Sequence, residues 1–391
     1  MMITKTTAIA AKFKGHMSNS VFKIKTKSHL ESNMFFDGSV DIARYDQVKY
    51  PLLEKLTDKQ LGFFWRPEEV DISKDKTDFN NLTDHEKHIF TANLKRQILL
   101  DSVQGRGPTT ALLPVASVPE LEPLVTAWAF METIHSRSYT HIIRNVYPNP
   151  SKVFDGLLDI KEIVLCADSI SKYYDDFIEY SKWYDLIGVG THRVNDHEIV
   201  IDMFEMKKKL WLMLHSINIL EGVRFYVSFA CSWAYAELKK MEGNAKIIKF
   251  IARDENVHLA ASQTIIKSLL KDDSDYIKIR EICHDEVTQM FVDATEQEKH
   301  WAEYLFKDGS MIGLNYRLLC DYIEWITAKR MKSLSYNCPY NVPQANPLPW
   351  TEKWVAGSNV QVAPQETQIS SYILGGIKQD VSSDTFKGLS L

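Results

Sequence analysis

Two segments of the chain carry the same short spacing of a carboxylate and an imidazole. Glu132 is followed three residues later by His135, and Glu255 is followed in the same way by His258. Residues three apart share one face of an α-helix, because each residue turns the helix by roughly 100°. Burying a carboxylate or an imidazole is costly unless the group is paired or binds a metal ion. The apolar neighbours of both pairs therefore predict metal ligands on the inner faces of two helices.

Each pair is preceded by a further acidic residue in an apolar segment. Asp101 ends the run QILLD, and Glu221 lies within SINILEGVRF, each at a similar distance before its Glu-x-x-His pair. The chain therefore repeats a carboxylate helix, a reversal and a Glu-x-x-His helix. Two such units facing each other form a four-helix cage with four carboxylates and two imidazoles. Ferritin-like di-iron and di-manganese proteins have this arrangement.

The donor types also indicate the metal. Oxygen ligands with a few imidazoles suit iron or manganese, whereas thiolates suit zinc or copper. Four carboxylates balance two divalent ions, which removes most of the cost of burying them. We therefore expect two iron ions per chain, with manganese as the alternative. The competing interpretation, polar core residues that satisfy one another, is common for one such pair but uncommon for two.

A third copy of the motif serves as a control. Glu281 and His284 have the same spacing, but the apolar stripe of their helix runs through Ile279 and Cys283. Glu281 lies roughly 200° from Ile279 around the helix and so faces solvent. We expect this copy to be ordinary surface.

Tyr139 is the candidate for redox chemistry beside the metals. It lies one turn after His135 on the same helix face. Phe225 and Phe229 follow the carboxylate at position 221 at helical spacing, and Ile251 precedes the one at position 255. All three are expected to line the same interior. They would give the phenol an apolar pocket that keeps water and reductants from an oxidised ring.

Asp254 is a candidate partner for a ligand imidazole. A carboxylate that accepts the second N–H of a ligand histidine fixes its orientation. The alternative from spacing alone is an ordinary salt bridge with Arg253 or a lysine.

The apolar periodicity predicts helices from residue 50 to about 326, and these helices would position the candidate residues. Thr83 and Glu86 form a predicted capping box that opens a helix ended by Gly105 and Gly107. Further helices are expected over residues 119–147, 161–187, 203–241 and 245–270, with a Gly-Asn break before the last, and two more follow. A polar stretch at 188–200 separates two of them. No phosphate-binding loop is present, and the fold class is all-α.

Composition bounds the class of protein. The 391 residues are 45% hydrophobic with a net charge of −5, so nothing indicates nucleic-acid binding. There is no apolar run of membrane-spanning length and no signal-peptide core. Five scattered cysteines indicate reduced thiols and a cytoplasmic protein. We divide the chain into a basic, flexible arm (1–33), a helical di-metal domain (34–345) and a flexible C-terminal tail (346–391).

Several longer motifs together resemble one family. The segments LLDSVQGR, ETIHSRSYTHIIRN, ILEGVRFYVSFACS, DGSMIGLN and NVQVAPQE are similar to those of the small (beta) subunit of class I ribonucleotide reductase. The resemblance runs from about residue 33 to the C-terminus. It departs locally at ENVH (255–258), where many relatives have Glu-Ala-Leu-His; the two central residues need not touch metal.

The resemblance implies roles for individual residues. Asp101, Glu132 and His135 would bind one iron, and Glu221, Glu255 and His258 would bind the other. Tyr139 would carry a stable radical in the pocket of Phe225, Phe229 and Ile251. Trp65 would pass an electron to the cluster, with Asp254 linking it toward His135. Tyr372 and Glu366 would serve a radical relay in the tail.

The same resemblance implies partners and an activity. The tail would dock on the large subunit, which binds the ribonucleotide and reduces it to the deoxyribonucleotide. The chain would form a homodimer and would need an electron donor for cluster assembly. The alternatives are a ferritin-like di-iron oxygenase or iron-storage protein, which needs no relay tail, and a structural helical protein, which binds no metal.

Overall fold

The computed structural model describes residues 20–25 and 27–355. This part of the chain is mainly helical, as expected. Its α-helices are α1 (Pro51–Gly62), α2 (Asp75–Asn80), α3 (Asp84–Gln104), α4 (Gly107–Leu112), α5 (Leu121–Val146), α6 (Pro150–Asp155), α7 (Lys161–Ile187), α8 (Met203–Ile219), α9 (Tyr226–Glu237), α10 (Glu242–Asp272), α11 (Asp275–Ile282), α12 (His284–Phe306), α13 (Tyr316–Ser333) and α14 (Glu352–Val355). Short 3₁₀ segments span Pro67–Glu69, Leu113–Val115 and Pro349–Thr351.

The central bundle contains α3, α5, α9 and α10. Helix α3 packs on α5 and α9, and α10 packs on α5 and α9, so the four surround one interior. The predicted capping box opens α3: the Thr83 hydroxyl accepts a hydrogen bond from the Glu86 amide, and the Glu86 carboxylate accepts one from the Thr83 amide at 2.8 Å. A continuous apolar core fills the space between these helices.

The prediction of one continuous helix over 203–241 is wrong at its centre. Helix α8 passes into a π-helical segment, Leu220–Arg224, before α9 begins. We call Leu220–Arg224 the π segment. Gly222 lies at a close approach inside it, because a Cβ there would come within 2.9 Å of the Leu259 side chain. The apolar periodicity continues on both sides, so the sequence carries no local signal of the inserted residue.

The Gly-Asn break predicted before α10 is also displaced. Gly243 and Asn244 form the first turn of α10, and the break precedes them at Lys239 and Met241, which have φ angles of 62° and 52°. The Asp75 carboxylate accepts hydrogen bonds from the amides of Gly243 and Asn244 at 3.2 and 2.6 Å. A carboxylate from a distant part of the chain thus satisfies the helix start.

Two further differences concern the outer elements. The polar stretch after α7 forms a β-hairpin, β1 (Gly190–Val194) paired antiparallel with β2 (His197–Ile201). Its turn places Asn195 and Asp196 at positive φ, which suits a tight two-residue hairpin loop. Between α10 and residue 334 there are three helices rather than two, because a break at Cys283 separates α11 from α12.

The two ends of the chain are described only in part. Residues 1–19 of the predicted arm and residues 356–391 of the predicted tail, with Glu366 and Tyr372, lie outside the described residues. Within the described part of the arm, Lys25 donates a hydrogen bond to the carbonyl of Ser117 at 2.7 Å. Within the described part of the tail, the Trp354 ring stacks on Trp233. No helix in the described ranges is long and apolar enough to cross a membrane.

Candidate metal centre

The six predicted ligands meet at one place inside the bundle. They come from α3, α5, the π segment and α10, and each side chain is at most 1% exposed: Asp101, Glu132, His135, Glu221, Glu255 and His258. They form two overlapping groups whose ligand atoms lie within 4.8 Å of one another. One group contains Asp101 and His135, the other contains Glu221 and His258, and both contain Glu132 and Glu255. We call these six residues the carboxylate–imidazole cluster.

The distances show that both imidazoles turn the same nitrogen toward the carboxylates. His135 Nδ1 lies 3.2 Å from an oxygen of Glu132 and 3.2 Å from one of Glu255. His258 Nδ1 lies 3.0 Å from Glu132 and 2.7 Å from Glu255. Glu221 and Asp101 lie farther away, at 3.8 Å from His258 and 4.0 Å from His135. Glu132 and Glu255 are thus central, whereas the family resemblance implied that each of them binds a single metal.

The protein alone leaves this cluster electrostatically strained. Burial and the charges of Glu255 and Glu132 raise the pKa of Glu221 well above its ordinary value. Burial and Glu132 do the same for the pKa of Asp101. Against the effect of burial, Glu255 raises the pKa of His135 well above its ordinary value. These shifts show excess negative charge, the condition that a bound cation relieves.

The donor atoms fit two divalent metal ions. Both carboxylate oxygens of Asp101 and Oε2 of Glu221 are buried, and among the described residues none of them has a hydrogen-bond partner within 3.5 Å, although the Tyr139 phenol faces Asp101. Buried polar atoms are nearly always satisfied, so such oxygens need a partner. Four carboxylates with two imidazoles and no thiolate form a set suited to iron or manganese.

Three residues that the sequence analysis missed support the cluster. Trp128 Nε1 lies 3.1 Å from Glu132 and 3.2 Å from Glu221, and its ring stacks on His258. Gln104 Nε2 donates to Glu221, and Gln104 in turn accepts from Tyr174 at 2.9 Å.

A sequence signal existed for two of these three. Trp128 precedes Glu132 by one turn and Gln104 follows Asp101 by one turn, so both share a helix face with a ligand. Tyr174 comes from α7, which carries none of the six residues, and nothing in its local pattern marks it. It approaches because Gly107 has no side chain: a Cβ there would lie 2.4 Å from the Tyr174 ring.

Asp254 joins the cluster to Trp65, as the sequence resemblance suggested. Its Oδ2 accepts a hydrogen bond from Trp65 Nε1 at 2.8 Å and lies 3.2 Å from His135 Nε2. Its other oxygen faces Arg253 at 3.3 Å, so the salt-bridge alternative is present as well. The second nitrogen of His135 is therefore held by a carboxylate while the first faces the cluster.

Tyr139 is fully buried on α5, one turn beyond His135. Burial and the charge of Asp101 raise the pKa of its phenol well above the ordinary value. Its hydroxyl faces the Asp101 carboxylate, which contributes to that shift by its charge and by accepting from the phenol. Phe225 and Phe229 are also fully buried and stack on each other with ring centroids 5.4 Å apart, and Ile251 is buried on α10.

The third Glu-x-x-His motif lies elsewhere, as predicted. Glu281 is exposed near the end of α11. The imidazole of His284 is 44% exposed and contacts only the neighbouring Asp285 among acidic residues. It belongs to neither ligand group among the described residues.

A helical bundle that encloses four carboxylates and two imidazoles defines the ferritin-like di-metal carboxylate class. The family model for the ribonucleotide reductase small chain matches residues 43–347. The chain therefore belongs to the ribonucleotide reductase small-chain family. This membership selects the reductase over the oxygenase and storage alternatives.

The similar proteins agree on this assignment. The chain is 52% identical to ribonucleoside-diphosphate reductase 1 subunit beta of Salmonella typhimurium, over 96% of this chain and 100% of the relative. It is 42% identical to ribonucleoside-diphosphate reductase subunit beta of bacteriophage T4, over 93% and 97% of the two chains. It thus functions as the small subunit of ribonucleoside-diphosphate reductase, which reduces ribonucleotides together with a large subunit.

Solved structures share the fold at lower identity. The ribonucleotide reductase R2 subunit from Clostridium botulinum has a TM-score of 0.73 and 24% identity, covering 86% of this chain and 98% of its own. The dimanganese(II)-NrdF of Streptococcus sanguinis has a TM-score of 0.63 and 18% identity, covering 81% and 100%.

Proposed function

We propose that the carboxylate–imidazole cluster binds two iron ions, with manganese as the alternative. Its two overlapping ligand groups offer oxygen-rich sites, and its four carboxylates match the charge of two divalent ions. Manganese is the alternative because one solved structure with the same fold is a dimanganese(II) protein. When bound, the metals would supply the electrons and oxidising power for O2 activation, which the protein side chains lack.

In this proposal Tyr139 is the residue that becomes a radical. The complete burial of Tyr139 supports this role, and the buried rings of Phe225 and Phe229 would form the apolar pocket that excludes water and reductants. Ile251 would complete the apolar lining of the pocket around the phenol. The phenol must lose its proton when it is oxidised, and we propose that the carboxylate of Asp101, which the Tyr139 hydroxyl faces, accepts it.

Trp65 and Asp254 would form the route by which electrons enter. The hydrogen bond from Trp65 to Asp254 and the contact of Asp254 with His135 give an unbroken polar path from the indole to the cluster. Tyr372 and Glu366, outside the described residues, would extend the relay to the large subunit. An external electron donor would reduce the cluster during assembly.

The division of the chain follows from these roles. Residues 34–345 would form the metal-binding domain, residues 1–33 a basic arm, and residues 346–391 the tail that docks on the large subunit. We propose a cytoplasmic location, in keeping with five free cysteines.

We also propose that the chain forms a homodimer through α1 and α5. Phe64, which follows α1, and Phe130 on α5 stack on each other although both are about half exposed. Leu61 adds exposed apolar surface near the end of α1. Such a patch is typical of a protein interface. A Phe130→Asp variant should sediment as a monomer, and an unchanged dimer would place the interface elsewhere.

One observation carries the metal proposal: four buried carboxylates face each other with only two imidazoles between them. The test is to load the protein anaerobically with Fe(II), admit O2, and measure both metal content and the electron paramagnetic resonance spectrum. We expect two irons per chain and a tyrosyl signal that disappears in Tyr139→Phe.

The alternatives give different results. Two irons without an organic radical would contradict the role of Tyr139 and leave the metal site intact. A radical that persists in Tyr139→Phe would assign it to another residue. Failure to retain tightly bound metal would overturn the proposal for the whole cluster. A matched control is Tyr147→Phe, since Tyr147 is bonded to Thr91, away from the cluster.

A further inference from the structure

A row of hydrogen bonds leads from the C-terminal stem, defined as Pro349–Val355, to the π segment. The Arg330 guanidinium donates to the Gly222 carbonyl at 3.1 Å and to the Tyr226 hydroxyl at 2.9 Å. Tyr226 donates to Asn256 Oδ1 at 3.4 Å, and Asn256 Nδ2 donates to the Val355 carbonyl at 3.3 Å. Arg330 donates to both sides of the row, Tyr226 and Asn256 each accept one bond and donate one, and the carbonyls of Gly222 and Val355 accept at the two ends.

The row ends beside two proposed metal ligands. Gly222 follows Glu221 directly, and its Cα packs so closely on Leu259 that a Cβ would come within 2.9 Å of it. Leu259 follows His258. The Arg330 side chain lies against Gly222 at this same contact, at 3.3 Å from the Cβ position. Arg330 therefore holds the π segment at the point where it packs on α10. The π segment contributes Glu221 to the cluster there, and α10 contributes His258.

The other end of the row is anchored on α9. The Trp354 ring stacks on Trp233 with centroids 6.2 Å apart, and its Nε1 donates to Glu237 at 2.9 Å. Lys353 pairs with the same carboxylate at 2.7 Å. The stem, which belongs to the described part of the predicted tail, is thus fixed to α9.

We propose that Arg330 is a positioning residue for the metal centre, and that Tyr226 and Asn256 couple it to the C-terminal stem. π-Helical insertions are frequent at functional sites and interrupt the regular ladder of main-chain hydrogen bonds. A side chain that fixes a carbonyl there sets the position of Glu221. The proposal rests on the proposed function only in that the cluster binds metal.

The first test is manganese binding to the full-length protein, followed by electron paramagnetic resonance. Arg330→Met should weaken formation of the spin-coupled manganese pair about tenfold, an effect expected when support of a ligand is lost. The mononuclear manganese signal should appear in its place. Arg330→Lys keeps one donor and should restore part of the affinity. Arg317→Met, an exposed arginine on the same helix, is the matched control.

The outcome separates positioning from general stability. A pair that forms at the wild-type manganese concentration in folded Arg330→Met protein would overturn the positioning role. Equal weakening in Arg317→Met would overturn it as well. If Arg330→Met does not fold, Tyr226→Phe tests the same link, because it removes one partner of the guanidinium and keeps the ring.

The second test measures the coupling by amide hydrogen exchange in the metal-free full-length protein. Trp354→Ala should raise exchange of the π segment about tenfold, the factor that corresponds to one hydrogen bond. In a Tyr226→Phe background the same change should have little further effect. Exchange in the β1–β2 hairpin is the internal control. Equal effects of Trp354→Ala in both backgrounds, or no effect in either, would overturn the coupling. Because no metal is present, this test stands apart from the proposed function.

Discussion

The carboxylate–imidazole cluster and the ion pair of Arg96 with Glu298 are both buried in the same bundle, and α3 contributes to each. Arg96 and Glu298 are at most 1% exposed and contact each other directly. The Arg96 guanidinium also lies over the ring of Trp301, with 4.8 Å to the centroid. This pair supplies its own counter-ion. The cluster instead collects four carboxylates around two imidazoles.

Buried charges that serve the fold can be distinguished from those that serve function by the source of their counter-charge. A buried charge is costly, and the cost is offset either by a partner side chain or by a ligand. Where the protein supplies the partner, the group serves the fold. Where like charges face each other, a cation completes the arrangement.

The largest expected effect comes from removing charge in each region by an isosteric change. Glu298→Gln leaves the guanidinium of Arg96 buried without a carboxylate and should lower the free energy of unfolding by about 3 kcal/mol. Glu221→Gln, the matched change in the cluster, should alter metal-free stability by less than about 0.5 kcal/mol. The reason is that burial and its neighbours already favour the neutral form of Glu221. Urea unfolding of metal-free protein checks both, and similar losses in the two variants would break the comparison.

The pH dependence of stability gives a second contrast, between a histidine buried in the core and the histidines of the cluster. Burial lowers the pKa of His215 to about 4, and its Nδ1 bonds to the Trp211 carbonyl. The unfolded state then binds the proton more readily, so stability is present above the unfolded pKa and is lost as pH falls toward 4. We expect a loss of about 3 kcal/mol between pH 7 and pH 4 that His215→Gln does not show.

The histidines of the cluster make stability depend on pH in the opposite direction. Glu255 raises the pKa of His135 and of His258, so the stability from those pairs is present at low pH and is lost as pH rises through the raised pKa.

Comparing wild type with His215→Gln, both metal-free, isolates the contribution of His215 to the pH dependence of stability. A wild type and variant with the same pH profile would contradict the assignment of the low pKa to that residue.

A smaller effect is expected in the support of the cluster. Trp128→Phe keeps an aromatic ring against His258 but removes the N–H that faces Glu132 and Glu221. Loss of such a partner should weaken metal affinity about 10- to 100-fold. Trp301→Phe is the control, since Trp301 Nε1 faces Asn93 and Ser228. Equal metal affinity in wild type and Trp128→Phe, measured by competition with a chelator, would remove this tryptophan from the site.

The smallest effect is expected at the third Glu-x-x-His motif. His284→Ala should change the free energy of unfolding by less than about 0.5 kcal/mol, because the imidazole is 44% exposed. Metal content should not change, whereas His258→Ala should lose metal. A change in metal stoichiometry in His284→Ala would show that spacing alone makes a site, against the argument from charge and burial.

The sequence by itself determined the local features. Glu132 with His135 and Glu255 with His258 share helix faces because the α-helix has a fixed turn per residue, so their pairing followed from spacing. The capping box at Thr83 is equally local and was confirmed. The all-α class follows from the same periodicity, whereas the third motif was placed on a single helix that the structure breaks at Cys283.

Only the tertiary structure decided what depends on distant parts of the chain. Glu132 and Glu255 both reach the two ligand groups because α5 and α10 meet, and Trp65 reaches Asp254 across 189 residues. The π segment leaves no periodic signal, since the apolar pattern continues on both sides of Leu220–Arg224. Helical spacing fixes which side chains share a face. Packing between helices fixes which faces meet, and that packing depends on the whole core.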